Sequence, residues 1–312
     1  MLVDSVFSPI LQFAEQPLIP AAQIERAQRR IENRYSNEMI EALEAETQRY
    51  LNRMDDALAD QDVRAINASQ WPTASILQRI IFELWTDAFA LGGEQGIEEM
   101  RAATSDAKEF SRVCRFAVPL DVQRDIEAIF ELETPQLINT DAVEAVVGRA
   151  NLLAGDFADD VFLDLRKHLV AAIVPQADTG NPISQSELLE RIQKTLKVSE
   201  ARAKVIARTE ITAAYNQGRQ QSFNESDLVD YIRFIAISDD RTTDICISRD
   251  GMLMPKSDVA LVTANTPPLH YACRSTISPV MSRLSRFEEI VTDPQRDPQN
   301  RTLAPLLKGW AS

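Results

Sequence analysis

Glycine is scarce in this chain, with 9 in 312 residues. So few backbone breaks argue against a many-turned β architecture and for long, uninterrupted helices. Histidine and cysteine are scarcer still, at 2 and 3 residues. Cys114, Cys246 and Cys273 are odd in number in a long chain, which suits a reducing cytosol better than a disulfide framework. No apolar run approaches the ~20 residues that span a bilayer, so no membrane partner is expected. The first ten residues, MLVDSVFSPI, hold Asp4 and no basic segment, so synthesis in the cytosol without a secretory signal is expected. Basic excess is missing too. The formal net charge of −14 opposes attraction to a phosphate backbone and favours docking onto basic protein surfaces. Repeats and low-complexity tracts are absent.

What remains is helical in pattern for the first half. Residues 21–62 contain neither Pro nor Gly, and Ile40, Leu43, Thr47, Tyr50, Met54 and Leu58 recur at spacings of three and four. That stripe wants a partner helix, by default inside its own domain and otherwise on a second copy of the chain. Pro72 suits the first turn of a second helix, which Gly92 and Gly93 would end or bend. A third helix is expected over 121–133 and a fourth from Asp141 to Val174. The stretch VPQADTGNPIS (174–184) marks a boundary. Ser184 and Glu187 then form a capping box for a helix ending near Lys197, with another from Ser199 to Ser226.

After this the pattern changes. DYIRFIAIS (230–238) alternates and is rich in aromatic and β-branched residues, hence a strand; TISPV (276–280) is a second, with a turn at Gly251. The fold class expected is a mainly α N-terminal region (1–180), a small α+β C-terminal domain (181–281) and an extended tail (282–312) that wraps or docks a neighbour.

Three segments of the second half carry the chemistry. In ARTEITAAYNQGRQQSF (207–223), Gly218 within a helix costs ~1 kcal/mol against Ala and points to close approach by another backbone. In ISDDRTTDICISRDGM (237–252), Asp239, Asp240 and Asp244 crowd Arg241. An ion-pair network is the default reading, with a bidentate lock to Arg208 or Arg219. The third, NTPPLHYACRS (265–275), places His270 and Cys273 at i and i+3, and leaves Arg274 for a carboxylate.

Cys246, His270 and Cys273 supply three of the four ligands of a structural zinc, with Asp239, Asp240 or Asp244 as a fourth. A Cys246–Cys273 disulfide, a Cys–His nucleophile and plain packing of a loop-rich core are the other readings, and packing is the default. A zinc deaminase is excluded, since HYAC has no acid two residues after the His and no P-C-x-x-C follows. GRANLLAG (148–155) lacks a phosphate-loop Lys, His168 reads as an ordinary helix residue, and Trp71, Trp85 and Trp310 are too scattered for a base-stacking platform.

RTEITAAYNQGR, then DDRTTDIC with DG, then PPLHYACRS together resemble the phage Mu F-like family of minor head proteins. The matching positions are Arg208, Thr209, Glu210, Asn216, Gly218 and Arg219, then Asp239, Arg241, Thr242 and Cys246. Gly251, Pro268, His270, Cys273 and Arg274 complete them. The resemblance covers residues 185–280. It implies a structural, non-enzymatic component of a tailed-phage capsid, located in the virion at the capsid interior or portal vertex. The implied partners are the portal protein and the major capsid or scaffolding protein, with phage DNA contact suggested for some relatives. The helical half is then the docking arm, and removing residues 1–60 is expected to leave the remaining fold intact. Two rival readings are a virion-carried nuclease or transferase using Asp239, Arg241, His270 and Cys273, and a DNA-binding ejection factor.

Overall fold

A computed structural model describes residues 20–70, 75–114, 120–133, 140–176, 181–237, 239–281 and 301–306. Among these the chain is mainly helical, with one small antiparallel sheet near the C-terminus, as the composition and pattern require. The elements are α1 (Ala21–Ala59), α2 (Val63–Ala68), α3 (Ser75–Cys114), α4 (Leu120–Glu131), α5 (Thr140–Ala171) and α6 (Gln185–Asn224). After them come β1 (Tyr231–Ile235), α7 (Asp244–Ile247), β2 (Leu253–Pro255), α8 (Val259–Asn265) and β3 (Thr276–Val280). Two compact units form, each discontinuous in sequence. One is drawn from the described residues within 1–31, 85–137 and 208–312, the other from those within 32–84 and 138–207. The helices α1, α3 and α6 therefore contribute to both.

The second unit is all helical. Its α5 buries Val146, Ala150, Ala154, Phe157, Val161, Leu165 and Leu169, a run of three- and four-residue steps that makes one apolar face. On α1, Leu43, Thr47 and Tyr50 are buried as the stripe predicts, and the Tyr50 ring meets Phe162 of α5 edge-on at 5.2 Å between centroids. Tyr50 Oη and Ser69 Oγ share a hydrogen bond of 2.8 Å. The stripe is thus used inside its own unit. Asp62 caps α2 by accepting from the amides of Arg64 and Ala65.

Residues 21–59 are not a dispensable arm. Tyr35, Met39, Leu43 and Tyr50 are at most 3% exposed, so removing 1–60 would strip several kcal/mol of buried apolar surface. The expectation of an intact remainder does not stand.

Two predicted helix ends are also absent. Gly92 and Gly93 lie within α3, which runs on to Cys114. Nor is there a break near 197–199, because that stretch has no Pro or Gly and Ser199 Oγ donates to Thr195 O at 2.8 Å, satisfied within the helix. At the α6 start, Ser184 Oγ accepts from the Glu187 amide at 3.2 Å. The reciprocal half of the box is not made, because the Glu187 carboxylate takes Arg191 at 2.7 Å instead. The proposed first turn at Pro72 lies outside the described residues.

In the first unit the sheet order is β2-β1-β3, all antiparallel. Tyr231 faces Pro255 on one side and Val280 on the other, Ile232 faces Met254 and Pro279. Pro279 is tolerated because β3 is an edge strand. Phe223, Ile232, Phe234, Met252, Met254 and Ile277 make a core with Ile97 and Met100 of α3 and Ile126 and Ile129 of α4. Gly251 sits at φ +73, the turn predicted for it, and its amide donates to Phe234 O at 2.9 Å.

Of the tail, residues 301–306 dock on this same unit. Arg301 donates to the carbonyls of Ser248 and Asp250, Arg249 donates to Ala304 O, and Leu303, Ala304 and Leu306 pack on the core. The rest of the expected tail lies outside the described residues.

Candidate functional site

Thr209, Thr212, Asn216 and Arg219 step along α6 by three, four and three residues, so one face of the helix presents four polar groups. All four are buried. A buried polar group must find a partner or cost about 1–3 kcal/mol, and here the partners are backbone atoms of residues 272–277. Thr209 Oγ1 accepts from the Ala272 amide at 2.9 Å and Thr212 Oγ1 donates to Cys273 O at 2.7 Å. Asn216 uses both ends of its amide: Nδ2 donates to Ser275 O at 3.3 Å, and Oδ1 accepts from the Ile277 amide at 3.1 Å and Thr276 Oγ1 at 2.9 Å. Arg219 Nε donates to Ile277 O at 2.8 Å. The stripe is a seam that fastens helix α6 to the chain entering β3.

Arg219 is fully buried, and its guanidinium is paired with the carboxylate of Glu99 on α3, also fully buried. Burial works against the charge on Arg219, but Glu99 and the Tyr215 hydroxyl outweigh it and hold the guanidinium more basic than usual. Glu99 also accepts from Ser278 Oγ at 3.1 Å, and Tyr215 Oη donates to Gln95 Oε1 at 2.5 Å. Glu210 accepts from Trp85 Nε1 at 2.9 Å. Between them α3 and α6 touch backbone to backbone. A Cβ built on Gly92 would stand 2.0 Å from Tyr215 O, and one on Gly218 2.0 Å from Phe89 O. The close approach read from Gly218 is therefore present, and Gly92 is its counterpart.

The acidic loop is an ion-pair network with a different arginine from the one expected. Asp239 accepts from both terminal guanidinium nitrogens of Arg274, with Nη1–Oδ2 at 2.7 Å and Nη2 on Oδ1, and from Arg241 at 3.0 Å. Arg219 is not in it, because its guanidinium is spent on Glu99. The hydrogen bond from Arg274 holds the Asp239 carboxyl far below the usual carboxylate range. Glu25 of α1 joins Arg274 at 3.5 Å and Arg241 at 3.8 Å. Thr242 Oγ1 donates to Ile237 O, closing the loop.

Cys246 on α7 and His270 and Cys273 in the loop before β3 come together as the spacing suggested. Cys246 Sγ lies 3.2 Å from His270 Nε2 and 3.7 Å from Cys273 Sγ, and the ligand atoms all fall within 4.8 Å of one another. Both thiols are free and buried. His270 Nδ1 hydrogen-bonds Tyr271 O at 2.9 Å, which fixes Nδ1 as the donor and leaves Nε2 facing sulfur. Ala272 takes φ +55, turning the chain between His270 and Cys273. The Cys246 hydrogen bond pulls the Cys273 thiol well below its usual value despite burial, with His270 adding to it, while Cys246 is pushed up and His270 is raised by Cys273. Two negative sulfurs this close would repel, so the pair carries at most one thiolate. Asp239, Asp240 and Asp244 are not in the group, so no carboxylate is its fourth member. At 1% and 0% exposure neither sulfur is open to a substrate, which weakens a nucleophile reading.

Sequence reasoning did not find Thr212, Gln95, Glu99, Tyr215 or Glu25. Thr212 was readable, since it lies on the same helical face as Thr209, Asn216 and Arg219. Tyr215 lies inside the motif but on another face of the helix, and Gln95, Glu99 and Glu25 sit on distant helices, where spacing gives no signal.

No curated protein and no solved structure matches the chain. Residues 176–278, roughly a third of the chain and the part that carries α6, the seam, the acidic loop and the Cys–His–Cys cluster, match the family described as Phage Mu protein F like protein, a phage head morphogenesis family.

Proposed function

We propose that the chain is a structural minor head protein of a tailed bacteriophage, associating with the portal and the procapsid during head assembly and residing in the virion. The observation that carries this reading is the family match over residues 176–278. It is supported by where the motif residues go. Thr209, Asn216 and Arg219 are consumed in bracing α6 against residues 272–277, and Asp239 and Arg274 in pinning a loop. Such residues build a rigid body and leave no open arrangement of acid, base and nucleophile. The net charge of −14 favours docking on protein before DNA is present. In the described residues no helix is long and apolar enough to cross a membrane.

The test is co-expression with the portal, scaffolding and major capsid proteins of the same genome, followed by affinity capture and cross-linking mass spectrometry. Cross-links to the portal, retained at raised salt, are the expected result. Capture of none of the three head proteins by a folded chain would remove the assembly role.

A further inference from the structure

The Cys246–His270–Cys273 group has dimensions that packing alone does not demand. In tetrahedral zinc sites Zn–S is about 2.3 Å and Zn–N about 2.0–2.1 Å, so two sulfurs on one ion lie ~3.75 Å apart and a sulfur and a nitrogen ~3.5 Å apart. The sulfurs here are 3.7 Å apart, far beyond a disulfide bond of ~2.05 Å. His270 Nε2 is 3.2 Å from Cys246 Sγ, a few tenths inside the tetrahedral edge. Nε2 is also the correct nitrogen, because Nδ1 is held by a carbonyl, the outer contact that orients most metal-binding histidines.

A second observation points the same way. Thr243 starts α7 without making a side-chain cap, and its buried Oγ1 finds no oxygen or nitrogen partner and lies against the Cys246 sulfur. Buried hydroxyls in proteins are normally satisfied. Ser275, 2% exposed, also faces Cys246. Two hydroxyls thus flank the Cys246 sulfur, and three protein ligands leave a fourth place to fill.

We propose that Cys246, His270 and Cys273 bind one zinc ion, with an oxygen ligand in the fourth position, either a water held by the hydroxyls of Thr243 and Ser275 or one of those hydroxyls itself. The ion clamps α7 to the loop before β3, where residues 272–277 are already fastened to α6. Binding displaces whatever protons the two sulfurs and His270 Nε2 carry, which leave to solvent, and no oxidant or reductant is needed. Both sulfurs are buried, so the ion is structural and enters as the domain folds. This site is independent of the head-assembly reading, which stands or falls separately.

The experiment uses the full chain, purified under reducing conditions, with zinc measured per chain and Co2+ added as a spectroscopic stand-in. The expected result is one zinc per chain, a thermal midpoint lowered by chelator and restored by Zn2+, and tetrahedral cobalt bands with thiolate charge transfer. Cys246→Ser should roughly halve the charge-transfer intensity. Thr243→Val, which leaves all three ligands in place, should weaken zinc about 10-fold, within the range of outer-shell effects. If Cys246→Ser does not fold, the wild-type cobalt spectrum and zinc content decide alone. A folded chain that retains no zinc, shows no thiolate–cobalt band and ignores chelator would overturn the proposal, as would a Cys246–Cys273 disulfide in the protein taken from reduced cells.

Discussion

Arg219 shows what one buried residue of the motif does. Its charge is compensated by Glu99, and its remaining nitrogens reach Ile277 O and the Tyr215 hydroxyl. Removing one partner of a buried pair leaves an uncompensated charge, whereas removing both can be close to neutral. Glu99→Ala should therefore destabilise the fold by roughly 3–5 kcal/mol in denaturant unfolding, and adding Arg219→Met should recover a large part of that loss. Equal stability of the wild type and Glu99→Ala would mean that the pair is not formed. The sequence marked Arg219, and Asn216 beside it, because they stand in a short, ordered motif. It gave no hint of Glu99, 120 positions away. A buried acid on a long helix has the same local pattern as a solvated one, and only the packing of α3 on α6 distinguishes them.

At the scale of elements the glycines divide into two kinds. Gly92 and Gly218 lie where α3 and α6 touch, and an added Cβ would overlap backbone oxygen. Gly148 and Gly155 of α5 have nothing within 4 Å of such a Cβ. Helix propensity alone favours Ala over Gly at all four sites by up to ~1 kcal/mol. Gly148→Ala and Gly155→Ala should accordingly stabilise by about 0.5–1 kcal/mol. Gly92→Ala and Gly218→Ala should destabilise by at least ~1–3 kcal/mol, because backbone cannot step aside as a flexible side chain does. Thermal unfolding of the four variants reads the signs, and stabilisation by Gly218→Ala would contradict the close crossing. The same glycines explain where the sequence misled. Gly92 and Gly93 look like a helix end, and the same signature serves close helix contact. By contrast the strands at 231–235 and 276–280 and the Gly251 turn were legible, since β-branched and aromatic residues and a positive φ leave direct marks on residue choice.

Over the whole molecule the two compact units share three helices, and neither is a continuous stretch of chain. A Pro- and Gly-bearing loop such as 174–184 announces where a helix stops. It carries no information on which helices pack together, because the core contacts join residues far apart in sequence. That is also why the pattern of α1 does not reveal how deeply it is built into the fold, with Tyr35 and Tyr50 buried. The head-morphogenesis region is the part of the chain with recognisable chemistry, and its polar residues brace a loop-rich domain. The most direct measurement of what that domain is for is quantitative mass spectrometry of purified procapsids and virions, scaling this chain against the portal and major capsid proteins. A structural head role predicts its reproducible presence at low copy number relative to the major capsid protein. Its absence from both particles would contradict that role.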